Sequence, residues 1–332
     1  MRRYSAGRVG LALVFAFLLA ALVVSGASAG DRDHHKRTDS TESKQATTGT
    51  ATATDSTAAE GTDTCSGSLN DFPNHVGVLS GTHMGNVQIS GACAVIGGPA
   101  EVKGNLTVTA GSVLLATFGE TFNQPGSPAS TLTVDGSVMI QSGATALLGC
   151  FAASFPCFDD PSAEHPTLNS PVKIGGSLVS TEPLGVIVHD ATIWGNVSQT
   201  GGGGGITCIP SGGFAAFGSP VYSAYEDSTV AGWMSISDVN SCWLGVARVH
   251  IGQSLSVTNN QMEDPDAIEI VLNTIEGNLS CSGNRMVWDS AEMGNDLYPR
   301  VWQPNTVEGT RMGQCEKAPS LERPGGTSPG PF

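Results

Sequence analysis

The sequence predicts an all-β protein built as a single β-solenoid, a stack of short coils with loop insertions, preceded by a signal peptide and a disordered linker. Three observations carry this prediction. Gly is 43 of 332 residues, while charged residues are only 14% and aromatics 6%. That composition lacks the Lys, Glu, Ala and Leu that build long helical faces, and it is too apolar and too weakly charged for a disordered chain. Most telling, one short pattern returns along the chain: an apolar residue, a variable one, Gly, then Asn or Ser, then alternating apolar positions.

The N-terminus is a different material. Arg2, Arg3 and Arg8 precede an apolar run from Val9 to Val24, and Ala27-Ser28-Ala29 forms a small-residue cleavage site, so residues 1–29 read as a secretory signal and Gly30 as the mature start. The run is shorter than the ~20 residues that span a bilayer, and no later run is long enough. Residues 30–64 read as a Thr/Ser-rich disordered linker, with ten Thr and three Ser between Thr38 and Thr64 and no apolar periodicity. Residues 316–332 form a Pro/Gly-rich disordered tail.

Eight cysteines follow the signal: Cys65, Cys93, Cys150, Cys157, Cys208, Cys242, Cys281 and Cys315. An even number in an exported chain favours disulfides, and no Cys-x-x-Cys supports a zinc or redox site. The spacing leaves connectivity open; the simplest scheme joins sequence neighbours. The mature chain carries 12 basic and 30 acidic residues, net −18, which disfavours nucleic acid and anionic membrane as partners.

Between Cys65 and Cys315 the copies read Met84-Gly85-Asn86-Val87, Val102-Lys103-Gly104-Asn105-Leu106, Val134-Asp135-Gly136-Ser137-Val138, Ile174-Gly175-Gly176-Ser177-Leu178, Ile193-Trp194-Gly195-Asn196-Val197, Val230-Ala231-Gly232-Trp233-Met234 and Ile275-Glu276-Gly277-Asn278-Leu279. One copy has Gln253 at the Gly position, and Val307-Glu308-Gly309-Thr310 is a degenerate last one. Successive key positions lie 19, 32, 40, 19, 37, 21, 24 and 32 residues apart. The short intervals suit one coil, and the long ones a coil with an insertion. Gly and Asn are expected to supply positive φ at corners, with Gly111 and Gly143 marking a second corner seven residues on.

These rungs resemble right-handed parallel β-helix proteins, including the polymer-forming bactofilins, and are most similar to secreted β-helix proteins of actinobacteria. Gly277-Asn278-Leu279-Ser280-Cys281-Ser282-Gly283-Asn284 followed by Gly309-Thr310-Arg311-Met312-Gly313-Gln314-Cys315 carries that second resemblance, which covers about residues 69–315. It implies the fold, with residues 65–315 as a right-handed parallel β-helix, and says almost nothing about activity.

Asn105, Asn196 and Asn278 head glycosylation sequons but read as rung residues. Asp159-Asp160, Glu226-Asp227 and Glu263-Asp264 with Asp266 are the available acids; they read as solvated loop groups, because Gly-His-Gly and Arg-x-Lys patterns are absent and His189-Asp190 and His250 stand alone. No catalytic residue, metal site or cofactor is assigned. Gly201 to Gly205 reads as a flexible hinge. The segment from Ser282 to Asn305 is the candidate ligand-binding insertion, with Arg285, Trp288, Tyr298, Arg300 and Trp302 offering aromatic faces beside polar groups. The expected function is a secreted, disulfide-stabilised, non-enzymatic scaffold or recognition protein at the cell envelope, its partner a cell-wall or extracellular polysaccharide, or a protein. The competing expectation is a polysaccharide-binding or polysaccharide-active β-helix.

Overall fold

The computed structural model describes residues 61–117, 130–149, 172–264, 268–285, 287–290 and 305–317, and for residues 117 and 288–290 the backbone alone. These residues are almost wholly β. The one helix, Gly212–Ala215, is a single turn, and no helix among the described residues is long and apolar enough to cross a membrane.

Among the described residues all the strand pairs are parallel, and apart from the separate pair Asn240–Ser241 with Gln261–Met262 they stack in three ladders, the pattern of a β-solenoid. The first ladder runs from Thr62–Gly67 and the start of Asn86–Val102 through Leu106–Val108, Val138–Ile140, Leu178–Thr181, Val197–Thr200, Met234–Ser237, Leu255–Thr258 and Leu279–Ser282 to Arg311–Gly313. The second includes Val113–Thr117, Thr145–Gly149, Gly185–His189, Tyr222–Glu226, Trp243–Ala247, Ile268–Val271 and Trp288–Ser290. The third includes Leu132–Val134, Val172–Ile174, Ala191–Ile193, Thr229–Val230, His250–Ile251, Thr274–Ile275 and Thr306–Val307.

The first-ladder partners Val87, Leu106, Val138, Leu178, Val197, Met234, Leu255, Leu279 and Arg311 follow the sequence intervals without a slip. Register is strongly specified because a one-residue shift would turn every inward side chain outward. Inward positions such as Ile89, Val108, Ile140, Val197, Ile236 and Val257 form one continuous buried core through the stack.

The rung glycines are required for a reason other than the expected one. Gly111 and Gly143 do adopt φ of +69°, but none of the rung positions from Gly85 to Gly309 is among the positive-φ residues. Instead the coils approach too closely there for a side chain. A Cβ on Gly104 would lie 2.5 Å from Asn86 Oδ1, and one on Gly195 would lie 2.5 Å from Ser177 Oγ. Those same oxygens accept the next coil's backbone N–H: Asn105 N–H donates to Asn86 Oδ1 at 2.8 Å, Ser137 N–H to Asn105 Oδ1 at 2.8 Å, and Asn196 N–H to Ser177 Oγ at 3.0 Å. The pattern also explains its exception. Gln253 stands in the coil that follows Trp233, and Trp233 is the rung residue that replaces the Asn or Ser acceptor.

Two buried asparagine ladders satisfy other corners. Asn260 N–H donates to Asn284 Oδ1 and Asn284 N–H to Gln314 Oε1, while Asn273 N–H donates to Asn305 Oδ1. Each amide thus closes backbone groups that burial would otherwise leave unpaired.

Disulfides join Cys65 to Cys93, Cys208 to Cys242 and Cys281 to Cys315. These are neighbouring pairs; Cys150 and Cys157 lie outside the described residues, as do 1–60 and the tail beyond 317. Gly201 to Gly205 is a packed strap between coils and not the free hinge expected. Gly203 N–H donates to the Pro183 carbonyl at 2.9 Å and Gly205 N–H to that of Asn240 at 3.0 Å. All five glycines have positive φ, a conformation in which a Cβ is strained.

Candidate functional site

The turn from the second ladder to the third is short in successive coils. It is made by single residues in the left-handed region, Asp190, Asp227, Arg248 and Leu272, with φ between 48° and 56°. The parallel register aligns His189 with Glu226 and Glu226 with Ala247. Three coils therefore bring His189, Glu226, Asp227 and Arg248 together, although they are far apart in sequence.

Asp227 is the hub of this cluster. Arg248 Nε donates to Asp227 Oδ1 at 2.6 Å and Arg248 Nη2 donates to Asp227 Oδ2 at 2.9 Å and to Glu226 Oε2 at 3.2 Å. His189 Nε2 lies 2.7 Å from Asp227 Oδ2. The four side chains are deeply buried, with exposures of 5% for His189, 6% for Glu226, 2% for Asp227 and 13% for Arg248. The neighbouring Asp190 is different: its Oδ2 is buried without a hydrogen-bond partner. Burial pushes its carboxyl up to about 6, opposed by the charge of His189 and reinforced by that of Asp227.

The expectation that Glu226 and Asp227 are solvated loop acids, and that His189 stands alone, is thus corrected. Strand register buries these groups and pairs them. The signal was present in the chain: counted back from the rung positions 195, 232 and 253, Asp190, Asp227 and Arg248 occupy one column, and His189 and Glu226 the one before it.

His189, Glu226 and Asp227 offer ligand atoms within 4.8 Å of one another, a spacing a divalent cation can bridge. The Arg248 fork already supplies the positive charge and takes both oxygens of Asp227, so the donor set does not fit a metal. It equally lacks the exposed pair of carboxylates that glycoside hydrolysis needs. The arrangement is that of an electrostatic clamp across three coils.

The expected ligand segment fares unevenly. Arg285 donates from Nη1 to the Met262 carbonyl at 2.8 Å, so its guanidinium is tied to the preceding coil. Trp288 sits in a ladder strand and not in a free loop, at the register position of Glu269. Tyr298, Arg300 and Trp302 lie outside the described residues, as do Asp159, Asp160 and Asp266. Asp264 accepts from Trp243 Nε1 at 3.2 Å.

A cleft of about 220 Å³ lies where residues 69–72 and the Gly212-Gly213 turn cover the coils at Gly111 and Gly143. Its lining has Thr145 as a polar side chain and no ionisable group, so it offers no acid–base chemistry.

The outward face of the first ladder is the other distinctive surface. Its positions carry Asn, Ser, Thr, Gln and apolar residues, with no Asp, Glu, Lys, Arg or His at any outward register position from Thr62 to Met312. Met139, Val179 and Met312 are exposed on it, and Trp194 and Trp233 are exposed at its edge. Sequence reasoning passed over both tryptophans because each sits inside a rung copy.

Comparison of the chain with protein-family models, curated proteins and solved structures finds no match.

Proposed function

We propose that this chain is a secreted right-handed parallel β-helix that serves as a non-enzymatic scaffold and recognition surface at the cell envelope. The observation that carries the reading is the fate of the charged groups. Among the described residues, the one place where His, acids and Arg converge is buried and internally paired, whereas the outward rows of the first ladder are free of charge. Catalytic carboxylates must reach substrate and solvent, and these do not. Support for an exported protein comes from the three disulfides, which persist in oxidising compartments, together with the charged, apolar and small-residue order of residues 1–29. The right hand follows from the strong preference of parallel crossovers.

The test is cell fractionation with N-terminal sequencing, alongside incubation of the purified protein with cell-wall polysaccharides. The expected result is a mature chain starting at Gly30 in the envelope or medium, retained by wall material with no sugar released. Release of oligosaccharide that Glu226→Gln or Asp190→Asn abolishes, with folding intact, would overturn the non-enzymatic reading.

A further inference from the structure

The surface-recognition reading leaves its ligand unspecified. We propose that the outward face of the first ladder, with Trp194 and Trp233 at its edge, binds a neutral, extended polysaccharide. This inference rests on the recognition reading and gives it a place and a ligand class.

The argument begins with the tryptophans. Trp194 is 54% exposed and Trp233 40% exposed, and it is their occurrence together, not the exposure of either alone, that marks a surface patch. Register places Asn196 opposite Trp233 and Trp194 opposite Ala231. The two tryptophans therefore lie in adjacent coils, two register positions apart at the same corner. Their neighbours are small: Gly175 and Ala231 flank Trp194 in the adjoining coils. Nothing bulky stands at those positions to block a flat ring from the indole faces.

Beside them runs a regular lattice of hydroxyls. Ser198, Ser235, Ser256 and Ser280 align in consecutive coils, and Thr200 and Thr258 belong to the next outward row. The rows repeat every ~4.8 Å along the stack and lie ~6.6 Å apart across it. Among the described residues none of these hydroxyls is committed to an internal hydrogen bond, so each is free to donate or accept.

The lack of charge selects the ligand class. The full chain has a formal charge of −15, and an anionic polymer would meet no Lys or Arg in the outward rows of this face. The nearest charges stand at its flanking turns, Lys103, Asp135, Glu276 and Glu308 in the column of Trp194 and Glu182 and Asp238 at the other end. A cationic one would meet no carboxylate in its rows. A pyranose polymer supplies what the face asks for: apolar ring faces for the indoles and hydroxyls at regular intervals for the Ser and Thr rows. A protein partner, with side chains of uneven length, would leave much of the hydroxyl lattice unpaired, which is costly.

The test uses the mature chain, Gly30 to Phe332. Retention on insoluble β-1,4-glucan and chitin, and affinity electrophoresis in soluble neutral glucan, mannan and polygalacturonate, are compared for the parent, Trp194→Ala, Trp233→Ala and Trp302→Ala. Thr274→Ala, on the third-ladder face three coils from Trp194, is the control. The expected result is retention by at least one neutral polymer, insensitive to ~0.5 M salt. Trp233→Ala or Trp194→Ala should weaken it about tenfold with unchanged melting, while the control binds as the parent. Binding to polygalacturonate alone, no binding to any neutral polymer, or undiminished binding by both Trp variants overturns the proposal. So does thermal hysteresis at an ice surface without polysaccharide retention, or loss of binding confined to Trp302→Ala. Sugar release by a protein that still depends on Trp194 or Trp233 for binding would overturn the non-enzymatic reading and leave this site standing.

Discussion

Two sides of the same coils are chemically opposite. At the turn between the second and third ladders, His189, Glu226, Asp227 and Arg248 are buried and joined across three coils. In the outward rows of the first ladder, no charged residue occurs from end to end. The backbone repeat is shared, so the difference lies in which side chains are buried. A left-handed turn does not bury charge by itself, since Glu182 and Asp238 at the end of the first ladder have φ of 48° and 60° and are exposed. At the second turn the aligned His189, Glu226 and Asp227 are buried, and there the charges must be paired. A flat strand points alternate residues straight into solvent. The first environment holds coils together, and the second displays a surface.

Breaking the clamp should produce the largest effect. Arg248→Ala leaves the Asp227 and Glu226 carboxylates buried without their guanidinium, and stability measured by urea unfolding should fall by about 3–5 kcal/mol. Ser198→Ala, on the open face, should change it by less than about 0.5 kcal/mol. If the two variants unfold alike, the contrast between the surfaces is wrong.

Opening the Cys281–Cys315 bridge, which closes 34 residues at the last coil, should come next. Cys281→Ser/Cys315→Ser is expected to lose about 2–4 kcal/mol, with hydrogen exchange rising first in Leu279–Ser282 and Arg311–Gly313. A thiol titration of the denatured, unreduced parent should find Cys65, Cys93, Cys208, Cys242, Cys281 and Cys315 unreactive.

Asp190 should respond to pH in a defined direction. Burial raises its carboxyl to about 6 in the fold, above the ordinary value of 3.8, so the folded state holds the proton more tightly than the unfolded one. Its contribution is therefore fully favourable below ~3.8 and is lost as pH rises through about 6. Asp190→Asn, which also tolerates the left-handed turn, should melt higher than the parent at neutral pH and lose that advantage near pH ~3.5. An advantage independent of pH would show that the buried carboxylate is not its source.

The coil register was legible in the chain because it rests on a local steric rule: an Asn or Ser pointing along the stack demands Gly above it. The intervals between rung glycines therefore translate directly into strand pairs. Its physical cause was misread as positive φ, since composition alone does not separate a glycine needed for torsion, such as Gly111, from one needed for space, such as Gly104. The clamp was harder to see. Glu226-Asp227 resembles any acidic loop until His189 and Arg248 are brought to it by register, and only column-by-column alignment reveals that. Trp194 and Trp233 were hidden for the opposite reason, because a rung was read for its Gly and not for what flanks it.

The most direct test of the stacked-register account is a double-mutant cycle at its one exception. Trp233→Asn restores the acceptor that other rungs place beneath a glycine, and so crowds Gln253 in the next coil. Gln253→Gly removes that crowding. The account predicts that Trp233→Asn alone destabilises the fold and that the pair Trp233→Asn/Gln253→Gly recovers, with a favourable coupling above about 0.5 kcal/mol. Simple additivity of the two substitutions would contradict it.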